Sequence, residues 1–246
     1  MSRGRPTSAI PGNKQAPRSG LLANLRRWPD RDSALASYAR LAANYEDTTT
    51  RIRAVRRRAI DLLDLQAGET VIDVACGTGA MLHELASRVG TRGRVIAVEQ
   101  SPAMARLAQA ASDGQPNIEV HNSPVESFTS SRRADALVFC YTHDVLQNPA
   151  ALNNLFAHAR PGARVAVVGL CLLPWWGAPV NAWVAWGARH YLTTWRGLRC
   201  PWAMLLAYCA DLRVVERQHM GTTYAATGTT QTTTERTLDA GSDGIV

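Results

Sequence analysis

The run Val71-Ile72-Asp73-Val74-Ala75-Cys76-Gly77-Thr78-Gly79 restricts the fold more than any other stretch of the chain. Val-Ile-Asp-Val reads as a buried strand, and the glycines directly after it predict a tight turn. Leu82, Leu85, Ala86 and Val89 then recur at helical spacing, so a helix is expected over 79–89. Glycine lets backbone approach a ligand with no Cβ in the way. The unpaired N–H groups at the helix start face that ligand. A second strand is expected over 94–98, ending at Glu99, and an acid there can accept hydrogen bonds from ribose hydroxyls. Strand, glycine turn, helix, strand and acid make one nucleoside-binding βαβ unit.

The dinucleotide fingerprint needs a small third residue for close helix–strand packing. Counted from Gly77, that place holds Leu82. Counted from Ala75, the first glycine is missing, although Ala80 suits the third place. No Walker lysine follows, which excludes a P-loop. The nine residues instead resemble motif I of the class I S-adenosylmethionine-dependent methyltransferases, V-L-D-V-G-C-G-T-G, with Ala75 in place of its first glycine. Ala75 tightens the loop around the ligand.

The resemblance continues along the chain, over about 36–228. Ser101-Pro102-Ala103-Met104 resembles the family's stretch after the second strand, with Glu99 in the acid's place and Gln100 beside it. Ser123-Pro124-Val125-Glu126 falls where many relatives carry an aspartate for the adenine amino group. Here Pro124 takes that position, which leaves adenine contacts to backbone near Val125 or to Glu126. Ala134–Phe139 resembles the fourth strand, and His158–Arg164 the turn into the fifth. The resemblance is to small-molecule methyltransferases of the ubiquinone/menaquinone-biosynthesis type. It implies a Rossmann-like, doubly wound, mostly parallel α/β sheet of seven strands, the last antiparallel. It also implies S-adenosyl-L-methionine as cofactor. The cofactor contacts expected are Asp73, Ala75, Cys76, Gly77, Thr78, Gly79, Glu99, Gln100, Met104, Ser123, Val125, Glu126 and Cys140.

Periodicity read without the family agrees with such a sheet. Strands are expected over 70–74, 94–98, 118–120, 135–139 and 163–169, alternating with helices over 79–89, 102–111 and 149–158. Two final strands fit 212–217 and 222–226, and two helices over 33–45 and 51–64 precede the first strand. In an open parallel sheet, ligands bind outside the strand C-termini. Arg51, Arg53, Arg56, Arg57 and Arg58 crowd the helix over 51–64. They read as a solvated face or as a substrate-entry patch.

Methyl transfer from a sulfonium is an in-line displacement in which the donor carries its own leaving group, so no metal ligands are expected. The protein positions the reactants and excludes water. The loop after the fourth strand, Cys140-Tyr141-Thr142-His143-Asp144, belongs to the ligand edge. Tyr141 can present its ring to a sulfonium. His143 is the candidate base, because an imidazole titrates near neutrality, and Asp144 can orient it. His143 can equally serve as a loop cap.

Six of the seven tryptophans fall between Trp175 and Trp202. A helical cover rich in tryptophan is expected over about 171–208, with Trp183, Trp186, His190 and Tyr191 as substrate contacts. Such a wall suits a hydrophobic or aromatic acceptor: a quinone precursor, a polyketide-like metabolite or a lipid headgroup. Ordinary core packing is the competing reading. Peripheral membrane contact also suits it, since tryptophan favours the interface.

The net charge of +7 is uneven, because residues 1–29 hold six basic residues and no acid. Residues 1–28 and 229–246 read as disordered tails around a domain at 29–228. An Arg-rich leader is the alternative for the first of these, though prolines and glycines spoil an amphipathic helix there. Lys14 is the only lysine. That bias removes basicity as an argument for nucleic acid. The Asn/Asp-Pro-Pro-Tyr/Phe signature of base amino methylation is also absent, so no nucleic-acid partner is expected. Five cysteines without metal spacing suit a reduced, cytoplasmic compartment. A cofactor-binding relative that does not transfer methyl is the alternative function.

Overall fold

A computed structural model of the chain describes Leu35, residues 52–188, Leu192 and residues 194–231. The strands are β1 (Thr70–Val74), β2 (Arg94–Glu99), β3 (Ile118–Asn122), β4 (Ala134–Cys140), β5 (Ala159–Leu170), β6 (Arg213–Gln218) and β7 (Thr223–Thr229). The described helices are α1 (Arg53–Leu62), α2 (Leu82–Val89), α3 (Pro102–Ala111), α4 (His143–Leu146), α5 (Pro149–Ala157) and α6 (Ala178–Ala188). Of the helix expected over 33–45, Leu35 alone is among the described residues, in helical conformation.

All seven strands form one sheet in the order β3-β2-β1-β4-β5-β7-β6. The first five are mutually parallel, and β7 runs antiparallel to both its neighbours. Side chains alternate faces along a strand, and in the central strands both faces are apolar. Ile72, Val74, Ile96, Val98, Leu137, Phe139, Val165 and Val167 face α5 and Phe128. Val71, Val95, Ala97, Ala136, Val138, Ala166 and Val168 face α1 and α2. Both layers of helix are required to cover such a sheet.

Strand order reverses between β1 and β4, since β1 leads outward to β2 on one side and β4 to β5 on the other. Their C-terminal loops therefore part at the switch point, where open α/β sheets leave a crevice. Helix α2 begins at Leu82, three residues after the expected start. Gly77 (φ +61°) and Gly79 (φ +85°) lie in the left-handed region and cannot be helical. A Cβ at Gly79 would also stand 3.0 Å from the Ala108 backbone of α3. Strand β7 runs through Thr229, the first residue of the expected C-terminal tail. Thr230 continues the order, donating its hydroxyl to the Arg160 carbonyl and accepting from the Ala163 N–H.

Candidate active site

Two lobes of one cleft flank the loop after β1. The larger, about 600 Å³ and open to solvent, is lined by Ala75, Gly77, Glu99, Gln100, Met104 and the loop Cys140–Val145, with Leu192 from the cover. The smaller, about 380 Å³, is lined by Ile52 and Arg56 of the first helical segment, Asp73, Cys76, Thr78 and Tyr141, among others. Gly77 belongs to both, and a Cβ there would meet nothing within 4 Å. The space its missing side chain leaves is space in the cleft.

Two non-glycine residues are held in the left-handed region at the two mouths of the crevice: Ala75 (φ +52°) and Tyr141 (φ +57°). Each costs roughly 1–2 kcal/mol in that conformation. Sheet hydrogen bonds hold both loops in place. The Cys76 N–H donates to the Val98 carbonyl (3.1 Å), and the Tyr141 N–H to the Val168 carbonyl (2.9 Å). Strain of this kind concentrates where a ligand is bound.

Glu99 closes β2 and is 5% exposed. Its Oε2 accepts from the Gly77 N–H at 3.0 Å and its Oε1 from the Ser101 N–H at 2.7 Å. The carboxylate thus ties the glycine turn to the next strand. It retains lone pairs toward the cleft that it lines. Burial raises its pKa, opposed by the backbone N–H groups of Ser101, Gly77 and Gln100.

Asp73 is the least satisfied acid of the site. It is 1% exposed, and neither carboxylate oxygen has a hydrogen-bond partner among the described residues. Burial, then the negative charge of Glu99, pushes its pKa from 3.8 to about 7, and Arg56 opposes the shift. A buried carboxylate with no donor is costly. A cationic donor entering the smaller lobe would remove that cost. The Cys140 thiol is pushed up to about 12 by burial and by Asp73. It is therefore protonated, and no thiolate nucleophile stands there.

His143 is 8% exposed and lines the larger lobe. Its Nε2 lies 2.8 Å from the Arg196 carbonyl oxygen. A carbonyl only accepts, so Nε2 carries the proton and Nδ1 holds the lone pair. Nδ1 has no partner among the described residues. The orienting group is thus the Arg196 backbone rather than the expected Asp144. Burial lowers the His143 pKa to about 4, against the raising effect of Arg196. The ring is neutral around pH 7, not poised there as its residue type alone suggests. A second tether, from Gln147 Nε2 to the Pro201 carbonyl (3.2 Å), also pins the cover to this loop.

The cleft brings together most of the expected cofactor residues: Asp73, Ala75, Cys76, Gly77, Thr78, Glu99, Gln100, Met104 and Cys140. It also brings in the expected Tyr141, His143 and Asp144. Gly79 serves the turn and its packing on α3. Ser123, Val125 and Glu126 are not among the residues lining either lobe. Val125 is buried with its carbonyl accepting from Asn154 (2.7 Å), and Glu126 is exposed. Arg56, Thr142, Val145 and Leu192 were not singled out from sequence as contacts, although Arg56 lies in the arginine cluster, Thr142 in the ligand-edge loop and Leu192 in the expected cover.

The tryptophans divide. Trp195 is buried, and Trp202 packs on Tyr224 at 4.6 Å between ring centroids. Trp183 and Trp186, expected as substrate contacts, are each 70% exposed and are not among the residues lining either lobe. The inner face of α6 is instead made by Val184 and Ala188, small enough for the helix to lie close. His190 and Tyr191 fall outside the described residues. Among those described, no three His, Cys, Asp or Glu side chains cluster to hold a metal, and no helix is long and apolar enough to cross a membrane.

Residues 71–162 match the model of a methyltransferase domain. The chain is 29% identical over 147 residues to a 2-phytyl-1,4-naphtoquinone methyltransferase of Thermosynechococcus vestitus, covering 55% of this chain and 64% of that one. It is 38% identical over 86 residues to the nocamycin O-methyltransferase of Saccharothrix syringae, covering 34% and 31%. The chain thus spans less than two thirds of the length of these curated relatives. In fold it is similar to the N-methyltransferase NodS of Bradyrhizobium japonicum in complex with S-adenosyl-L-homocysteine. The TM-score is 0.54 at 17% identity, over 81% of this chain and 99% of that one.

Proposed function

We propose that this chain, a class I S-adenosylmethionine-dependent methyltransferase by its domain and its fold, methylates an apolar aromatic acceptor of quinol or polyketide type. The observation that carries the reading is the cleft at the switch point, where Asp73 has no donor among the described residues and Gly77 leaves room for a ligand. S-adenosylmethionine would supply an electrophilic methyl group on a sulfonium. The orphaned Asp73 carboxylate suits the cofactor's ammonium, and the remaining lone pairs of Glu99 suit its ribose hydroxyls. Met104 offers an apolar side to the base. Tyr141 lies between the two lobes, so its ring can border the sulfonium.

The acceptor side is formed by Thr142, His143, Val145 and Leu192, with Asp144 the one acid of that stretch. These residues exclude water and hold the acceptor in line. Nδ1 of His143 accepts the acceptor's proton. A ring titrating at about 4 is a weak base, and a weak base suits an acceptor that is itself acidic, such as a phenol, enol or quinol. The relatives named for naphthoquinone and nocamycin methylation support this class of acceptor.

A His143→Ala variant should turn over on the order of 10²-fold more slowly while binding S-adenosylhomocysteine as the parent does. The parent's rate at saturating cofactor should show no acid limb at the ordinary imidazole value of 6.5, because burial keeps the ring deprotonated there. An unchanged rate in the variant leaves His143 a tether of the cover only. The function itself is tested with trideuteromethyl-labelled cofactor and a fractionated cell extract. Label should pass to a compound in the apolar fraction. Label appearing only in nucleic acid or protein, or in nothing at all, would refute the acceptor class.

A further inference from the structure

Helix α6 is reversed relative to a surface helix in water. Such a helix turns its apolar stripe to the core and its charges outward. Helix α6 has no charged residue, and its one polar side chain, Asn181, points inward. There Asn181 donates to the Leu173 carbonyl and accepts the Leu173 N–H, both at 2.9 Å. The outward side carries Trp183 and Trp186, one turn apart, with Pro179 and Ala182 between the same exposed edges. The turn before the helix adds Trp175, 80% exposed, and Trp176, 63% exposed. Leu173 sits beneath this turn, in contact range of both Gly177 and Gly221, and next to Gly221 stands Met220, 71% exposed. One apolar surface therefore runs from the turn onto the helix.

The segment of the chain that carries this face holds charge of one sign. No Asp or Glu occurs between Asp144 and Asp211, and Arg189, Arg196 and Arg199 follow the helix. Arg196 and Arg199 are exposed. Tryptophan prefers the boundary between water and acyl chains, and arginine binds phosphate oxygens. The helix is also too short to cross a bilayer, so it can only lie along one. We propose that the outward face of α6 and the turn before it dock on an anionic phospholipid surface. The tryptophans enter at headgroup level and the arginines sit on the phosphates. Leu192, just beyond the helix, lines the cleft, so docking holds the cleft mouth beside the bilayer. Delivery of an apolar acceptor from the lipid rests on the proposed function, whereas docking rests on this surface alone.

The test uses the full chain with vesicles of phosphatidylcholine alone or mixed with phosphatidylglycerol. Flotation should show binding to the anionic vesicles at least about tenfold stronger than to the neutral ones. Tryptophan emission should shift to the blue and be quenched by brominated lipid. A Trp183→Gln/Trp186→Gln variant should lose at least about tenfold in vesicle binding. An Arg199→Gln variant should lose about fivefold of the preference for anionic lipid. Melting temperature and S-adenosylhomocysteine affinity serve as folding controls in both. Equal vesicle binding by the parent and the tryptophan variant, or none by the parent, would overturn docking. So would a dimer by light scattering that the tryptophan variant dissociates, since the face would then be an interface between copies. Docking without label transfer to any apolar compound would instead refute the acceptor reading and leave docking standing.

Discussion

A Gly77→Arg variant should bind no measurable S-adenosylhomocysteine in calorimetry, a loss of at least about 10³-fold, or roughly 4 kcal/mol. Gly77 borders both lobes, and its missing Cβ opens onto the cleft rather than onto protein. An arginine there projects into the cleft and adds a cation near the place proposed for the sulfonium. The chain should still fold, because no core atom lies within 4 Å of the new Cβ. The φ of +61° costs a non-glycine residue roughly 1–2 kcal/mol, so the melting temperature should fall without the fold being lost. Unchanged affinity would place the cofactor elsewhere.

The second large effect is expected at Asp73, in two opposite directions. Its folded-state pKa, about 7, lies above the ordinary 3.8. Below about pH 4 the folded and unfolded chains both hold this proton, and the group costs nothing. Between about pH 4 and 7 the unfolded chain has released the proton while the folded one still holds it. Stability is lost over that window, on the order of 4 kcal/mol at about 1.4 kcal/mol per pH unit. An Asp73→Asn variant without ligand should therefore melt higher than the parent above pH 7, and the difference should vanish near pH 4. Its affinity for S-adenosylhomocysteine should fall about ten- to a hundredfold, because a charged hydrogen bond to the ammonium is lost. In the parent, the thermal shift caused by the ligand should grow as pH rises toward 7 and Asp73 ionises. Melts that do not depend on Asp73 would mean that its carboxylate is satisfied in solution.

What could be read from sequence was local. Val71–Gly79 carries strand, turn and helix signals within a few residues of each other, and Glu99 follows from spacing along the same βαβ unit. The parallel alternation predicted the sheet because each central strand is apolar on both faces. The remainder depends on tertiary placement. Arg56 and Leu192 reach the cleft from segments on opposite sides of the glycine turn in sequence, and the arginine cluster and the cover mark those segments without singling out either residue. His143 was identified by residue type, but its orienting partner is a backbone carbonyl, which leaves no trace in the side-chain pattern. Burial then moves its pKa away from the value that suggested it. The tryptophan cluster was visible, but its orientation was not. A helix apolar on every side has no periodicity from which an inner face can be told, and small Val184 and Ala188 decide that Trp183 and Trp186 point outward. The start of α2 was misplaced because Gly77 and Gly79 take left-handed φ, which hydrophobic spacing does not register.

A crystal structure of the full chain with S-adenosylhomocysteine tests the central claim most directly, namely that the crevice between β1 and β4 receives the cofactor. The ligand's amino group should lie within hydrogen-bond distance of Asp73, its ribose hydroxyls on Glu99, and its sulfur beside Tyr141, open to Nδ1 of His143. Density for the ligand outside this crevice, or an Asp73 that still has no donor when the ligand is bound, would contradict it.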